Sequence, residues 1–122
     1  MLEMKARLIN LTPHMINIIC ESGTISVPAC GDVARVSATK ELVNTLSIEN
    51  VSVPIYTTTF GDVEVISPDG SKKLFPEPEK NVLYIVSNIV KSALSDRNDV
   101  VVPADLVRDE NGNIVGCRGL ST

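Results

Sequence analysis

Apolar positions along this chain gather in short runs parted by Pro, Gly, Asn and Asp, the pattern of strands and turns rather than of long helices. Residues 6–11, ARLINL, and 15–19, MINII, read as strands. Thr12-Pro13-His14 bends the chain between them, because Pro13 has no N–H for a ladder and holds Thr12 extended. ESG at 21–23 is a turn and TISV at 24–27 its strand partner, so the first third predicts a β-meander with bends. VARVSA, 33–38, alternates as a strand. TKELVNTLS, 39–47, predicts one or two helical turns capped by Thr39, with Leu42, Val43 and Leu46 on one face.

Residues 50–67, NVSVPIYTTTFGDVEVIS, carry the strongest β signal, being rich in β-branched and aromatic side chains. Gly61-Asp62 divides them into two strands of an expected hairpin, and Pro54 puts the first at an edge or a bulge. SPDGSKK, 67–73, has turn chemistry, and FPEPEK, 75–80, is an extended connector. The apolar run 82–86 suits a strand buried on both faces. Ser87 then offers an N-cap to a helix with Ile89, Val90, Ala93 and Leu94 on one stripe and Lys91, Ser92 and Ser95 opposite. DVVVP, 99–103, is a further buried strand. Strand, helix and strand in this order predict a parallel pair, although the connection is tight. The chain closes on DLVRDENGNIVGCRG, 105–119, where Asn111-Gly112 predicts a hairpin. The fold class expected is α+β: a mostly β, mixed sheet with one main helix packed on it.

The 122 residues suit one domain, 1–122, and a 43% hydrophobic fraction argues against disorder. A net charge of −4 disfavours a nucleic acid polymer or an anionic membrane as partner, since both reward a basic surface. It leaves room for one small anion held by a few arginines. Cys20, Cys30 and Cys117, odd in number and widely spaced, form neither a disulfide framework nor a zinc pattern. No signal peptide and no long apolar run is visible, so a cytoplasmic protein with reduced thiols is expected.

Candidate chemistry is sparse. The strand-to-helix junction LYIVSN, 83–88, could offer N–H groups together with Ser87 and Asn88 to a phosphate, though most helix starts hold only their own cap. Arg97, Arg108 and Arg118 present the donor fork that suits phosphate. The plain alternative is surface ion pairing with Asp96, Asp99, Asp109 or Glu110. Arg108 and Arg118 lie near the two ends of the last hairpin, where neither has an obvious acidic partner on the facing strand. His14, the single histidine, reads as part of a hydrogen-bonded bend rather than as a general base. No metal motif is present, and neither metal nor cofactor is expected.

NLTPH (10–14), LYIVS (83–87) and DRNDVVVPADLVRDENGNIVGCRGL (96–120), in this order and with the proline-rich connector before the second, resemble a family of small phage and prophage proteins. Within it they are similar to the first type of Thoeris anti-defence protein. The similarity covers about half of the chain, and 21–75 does not share it. The resemblance implies a sponge that sequesters glyco-cyclic ADP-ribose, and also cyclic di- and trinucleotides at a separate site, without cleaving them. It implies a homo-oligomer, a hexamer in the family, acting in the cytoplasm of the infected bacterial host. The long β segment 50–67 and the buried strands by themselves suggest an oligomer, with a two-fold dimer the commonest closed form. Carried onto this chain, Arg108 and Arg118 would hold the pyrophosphate and Asn88 a phosphate or ribose oxygen. Phe75 or Tyr84 would stack on adenine, and Asp109 would accept from a ribose hydroxyl.

Two other functions fit the residues. One is a small phage structural or assembly protein, for which a β-rich acidic domain with proline-bent edges is suited. The other is an enzyme acting on a phosphodiester or glycosidic bond, which would need His14 or a carboxylate beside the arginines.

Overall fold

The computed structural model describes residues 6–122. Its main sheet has six strands: β1 (Arg7–Asn10), β2 (Ile16–Cys20), β3 (Gly23–Val27), β9 (Val82–Ile85), β10 (Val100–Arg108) and β11 (Ile114–Ser121). They lie in the order β1-β9-β10-β11-β2-β3, with β1, β9 and β10 mutually parallel, β10 and β11 an antiparallel hairpin, and β11 parallel to β2. A smaller antiparallel sheet is built from β4 (Val33–Arg35), β7 (Glu64–Ile66) and β8 (Lys72–Leu74). The remaining strands, β5 (Ala38–Ile48) and β6 (Val51–Phe60), pair only with each other. One helix, α1 (Asn88–Ala93), joins β9 to β10. The fold is therefore α+β and mostly β, as the sequence predicts.

The core lies between the two larger sheets and α1. Val65, Val86, Val90 and Val100 are at most 1% exposed, and Leu11, Ala34, Val63, Val82 and Tyr84 pack with them. The apolar run 82–86 does form the buried strand it suggests, and its parallel partner is β10, through Val100↔Tyr84 and Val101↔Ile85. Ser87 occupies the N-cap position in extended geometry, but its side chain makes no cap hydrogen bond. Of the predicted helical stripe, Val90 is buried and Ala93 and Leu94 pack against the core, whereas Ile89 is exposed.

Three expectations need correction. The first third is no simple meander: β2 and β3 are antiparallel neighbours, but β1 sits at the far end of the sheet beside β9. The bend at Pro13 carries the chain across the sheet rather than back along it. The second correction concerns 39–47, which is strand. Glu49 (φ 50°) and Asn50 (φ 64°) make a tight turn that pairs β5 with β6 from Ile48↔Val51 to Ala38↔Phe60. Positive φ at two central residues is the twist that suits a two-residue hairpin. Third, Gly61-Asp62 separates two strands as expected, but β6 and β7 belong to different sheets. Pro54 is tolerated because a two-stranded ribbon has an open edge on each side, and a register shift between Leu42 and Asn44 lies nearby.

The NLTPH segment owes its form to Asn10, which is 1% exposed. Its Nδ2 donates to the carbonyls of His14 (2.7 Å) and Val27 (3.0 Å), and its Oδ1 accepts from the Thr12 amide (3.0 Å) and Thr12 hydroxyl (2.7 Å). Both donors and both lone pairs of the amide are used. The bond to Val27 also ties β1 to β3, the two outer strands of the sheet, and so holds the sheet in a curl. Gly116 tightens the same curl from the other side. A Cβ there would stand 2.9 Å from the Asn17 carbonyl oxygen and 2.8 Å from the Ile19 Cδ1, so only glycine lets β11 approach β2 this closely.

Removing the Asn10 amide takes its partner from the buried Thr12 amide and removes the side-chain bonds to the partly buried Val27 and His14 carbonyls. Asn10→Ala is expected to lower the unfolding free energy by about 2–4 kcal/mol, read from urea denaturation. A loss below about 0.5 kcal/mol, the size of an ordinary surface substitution, would show that the bend holds itself without the side chain.

Candidate functional site

The β10–β11 hairpin presents two of the proposed arginines. Its turn is built by Asp109, whose Oδ1 accepts from the amides of Asn111 (2.9 Å) and Asn113 (3.0 Å). The Asp109 amide donates to Asn113 O (2.9 Å) and that of Gly112 to Asp109 O (3.0 Å), with Gly112 at φ 82°. Arg108 Nη1 donates to Gly112 O at 2.8 Å, so its guanidinium braces the turn. One carboxylate oxygen of Asp109 is thereby committed to the backbone rather than to a ligand.

Arg118 lies at the other end. In the register Ala104↔Gly119 and Leu106↔Cys117 it faces Asp105, and its Nε is 3.9 Å from Asp105 Oδ2. An acidic partner thus exists on the facing strand, contrary to the expectation from spacing. Asp105 has a positive φ (57°), but the register runs unbroken through it. Counting out from Asn111-Gly112 as a two-residue turn already sets Asp105 opposite Arg118, so this match was readable from spacing. Both side chains are more than 60% exposed, so the pair contributes little. Arg118 borders a cavity of about 340 Å³ with Ile19, Cys20 and Glu21. Arg108 pairs across from Ile114, four residues before Arg118, which is roughly 13 Å along a strand. The two guanidinium groups mark the two ends of the hairpin and do not share one pocket.

The other proposed contacts separate further. Tyr84 is 3% exposed and meets Phe75 edge to face, with ring centroids 5.3 Å apart and planes at 69°. Burial pushes its phenol above the ordinary value, with Glu79 and Asp99 adding to the effect. A ring so enclosed has no free face for adenine, and Tyr84 is a core residue. Phe75 carries the Arg97 guanidinium 5.2 Å from its centroid. It packs partly buried against the core, so it too serves structure in this chain. Arg97 follows the plain ion-pair alternative: Nε and Nη2 donate to the two oxygens of Asp99 at 2.8 and 2.7 Å, and Nη2 also reaches Pro76 O at 3.0 Å. Through these bonds Arg97 pins the proline-rich connector to the end of α1. Asn88 is exposed at the first position of a six-residue helix. None of the three principal cavities among the described residues is lined by two of the six proposed contacts.

His14 is exposed, and it is its backbone carbonyl that the bend uses, accepting from Asn10 and Thr12. His14 borders an apolar depression of about 380 Å³, which Met15, Leu106, Ile114 and Val115 also line. Among the described residues no three His, Cys, Asp or Glu side chains gather as a metal site. No family model, curated protein or solved structure matches the chain.

What the sequence reading missed is the β5–β6 arm. Its signal was present: Leu46 and Ile48 alternate with Thr45 and Ser47, Val51 and Val53 with Ser52 and Pro54, and Glu49-Asn50 stands between them. A helical reading of 39–47 ended just before the turn that would have revealed it.

The Arg97–Asp99 pair gives a pH-dependent prediction. Its hydrogen bonds to Arg97 hold the Asp99 carboxyl below its ordinary value. The stability it contributes is therefore present above the unfolded-state pKa of about 3.9 and lost as pH falls through the lower folded value. Asp99→Asn is expected to lose on the order of 2 kcal/mol at pH 7, and the difference from the parent should shrink on acidification below about pH 4. An equal difference at pH 7 and pH 3 in urea unfolding would contradict this.

Proposed function

We propose that this chain is a non-catalytic binding protein which sequesters an anionic cyclic nucleotide signal, glyco-cyclic ADP-ribose first, as a homo-oligomer in the cytoplasm of an infected bacterium. The observation that carries the reading is the pair of exposed arginines on a hairpin whose turn is fixed by side-chain bonds. Arg108 uses one N–H on Gly112 O, and Arg118 has only a loose, solvated contact at 3.9 Å, so both forks keep donors for a phosphate. The resemblance of NLTPH, LYIVS and the last hairpin to the Thoeris anti-defence family points to the same ligand class. In this reading each arginine holds its own part of the ligand, and a second subunit supplies the walls that one copy does not. The ligand contacts reduce to Arg108 and Arg118, with Asn88 and the second oxygen of Asp109 as further candidates.

A second reading, a small structural or assembly component of a phage, is favoured by a specific feature: the exposed apolar β5–β6 arm, a surface suited to contacts with other protein chains. The two readings part on ligand capture. The purified chain is mixed with glyco-cyclic ADP-ribose, freed of unbound ligand and denatured, and the released compound is identified. Intact ligand is expected, with Arg108→Ala and Arg118→Ala each weakening capture at least about tenfold, or 1.4 kcal/mol, at unchanged melting temperature. A cleaved product would mean an enzyme. No capture, with cyclic di- and trinucleotides also failing, would favour the assembly reading.

A further inference from the structure

The β5–β6 arm cannot be explained as part of a monomer. The register Asn44↔Ile55, Leu46↔Val53 and Ile48↔Val51 puts Leu46, Ile48, Val51, Val53 and Ile55 on one face of the distal half, with Asn44 at its inner end. Thr45, Ser47 and Ser52 fall on the other face with Pro54. This is the binary pattern of a strand pair that buries one side. Yet those five apolar residues are 36–59% exposed, and every residue from Ala38 to Phe60 is exposed. A two-stranded ribbon without a packed face is marginal in water.

The total surface makes the same point. The chain exposes 8743 Å², whereas a folded monomer of 13.1 kDa is expected to expose about 6,400 Å². The excess is about 2,300 Å², and residues 1–5 could account for at most about 900 Å² of it. A standard protein interface takes about 800 Å² from each partner. The surplus therefore suffices for such an interface.

The body offers a matching surface. The 380 Å³ depression between the start of β2 and the β10–β11 hairpin is lined by Met15, Leu106, Ile114 and Val115, each 42–58% exposed, and by Gly116. Neither this lining, which also includes His14 and Asn17, nor the five-residue arm face carries an Asp, Glu, Lys or Arg side chain, on a molecule whose net charge of −4 otherwise opposes self-association. Arms stacked on each other would cover the arm face and leave the depression open. An arm laid in the depression covers both. Ten paired residues reach about 33 Å, enough to cross a neighbouring body whose radius of gyration is about 13 Å.

We propose that the distal apolar face of the β5–β6 arm docks into the Met15–Leu106–Ile114 depression of a second copy, and that two copies exchange arms reciprocally about a two-fold axis. Such an exchange is closed and isologous, so it ends at the dimer. It does not depend on the nucleotide reading, since the contact needs no ligand.

Native mass spectrometry and sedimentation of the full chain at micromolar concentration test it, together with a cross-linking experiment. The parent is expected to be a dimer. Leu46→Asp with Val53→Asp on the arm, and separately Leu106→Asp with Ile114→Asp in the depression, should each raise the dimer dissociation constant at least about 100-fold. All four side chains are solvent-exposed in one copy, so the body should still melt cooperatively. In chains with Cys20 and Cys30 as serine, oxidation of a mixture of Leu46→Cys or Val53→Cys chains with Leu106→Cys or Ile114→Cys chains should give mixed disulfide dimers. A monomeric parent would overturn the proposal, as would a depression variant that stays dimeric. So would cross-linking of the arm variants only to themselves, which would mean that the arms pack on each other, or no cross-link in any combination.

Discussion

The side-chain amide of Asn10 is the interaction on which the body of this molecule depends. It sits where β1 ends, bonds to both sides of the Thr12–His14 bend, and reaches across to the Val27 carbonyl on the opposite outer strand. A six-stranded sheet with its edges open would present unpaired backbone on both sides. Here one buried amide bridges the two edges at the point where they converge. With Asn10 in place, Leu11 enters the core, its amide bonds to Ile85 O, and its carbonyl accepts from Ala34 N, so the small sheet is hung from the same junction. The bend does its work through the backbone carbonyl of His14, which leaves the imidazole itself on the surface.

The contrast between body and arm follows from where apolar surface is satisfied. In the body, the parallel β9–β10 pair, α1 and the small sheet bury a valine-rich core, and Gly116 lets β2 come close enough to complete the layer. In the distal half of the arm the apolar pattern is also clear, but nothing among the described residues of the same chain covers it.

Much of the architecture was legible because local signals agreed. The 82–86 run, the Asn111-Gly112 turn and the parallel pairing of β9 with β10 each rest on a short-range rule that tertiary structure had no reason to override. The failures also have physical causes. Leu42, Val43 and Leu46 fit a helical face only because the register shift beside Val43 breaks the strict alternation of β5. The Asp105–Arg118 contact follows from counting residues out from the Asn111-Gly112 turn, a long-range register that a reading of local spacing alone passed over. For the site, arginine chemistry was readable but not its geometry. Aromatic residues near a connector look like stacking platforms in a sequence, whereas Phe75 and Tyr84 face each other and Arg97 inside the fold.

The account turns on whether the arm is a completed structure only in an assembly. Hydrogen exchange of the β5 and β6 backbone amides, followed as the protein is diluted, measures this directly. Protection at high concentration that disappears on dilution, while the β9 and β10 amides stay protected throughout, is the predicted result. Arm amides that exchange at the same rate at every concentration would contradict it.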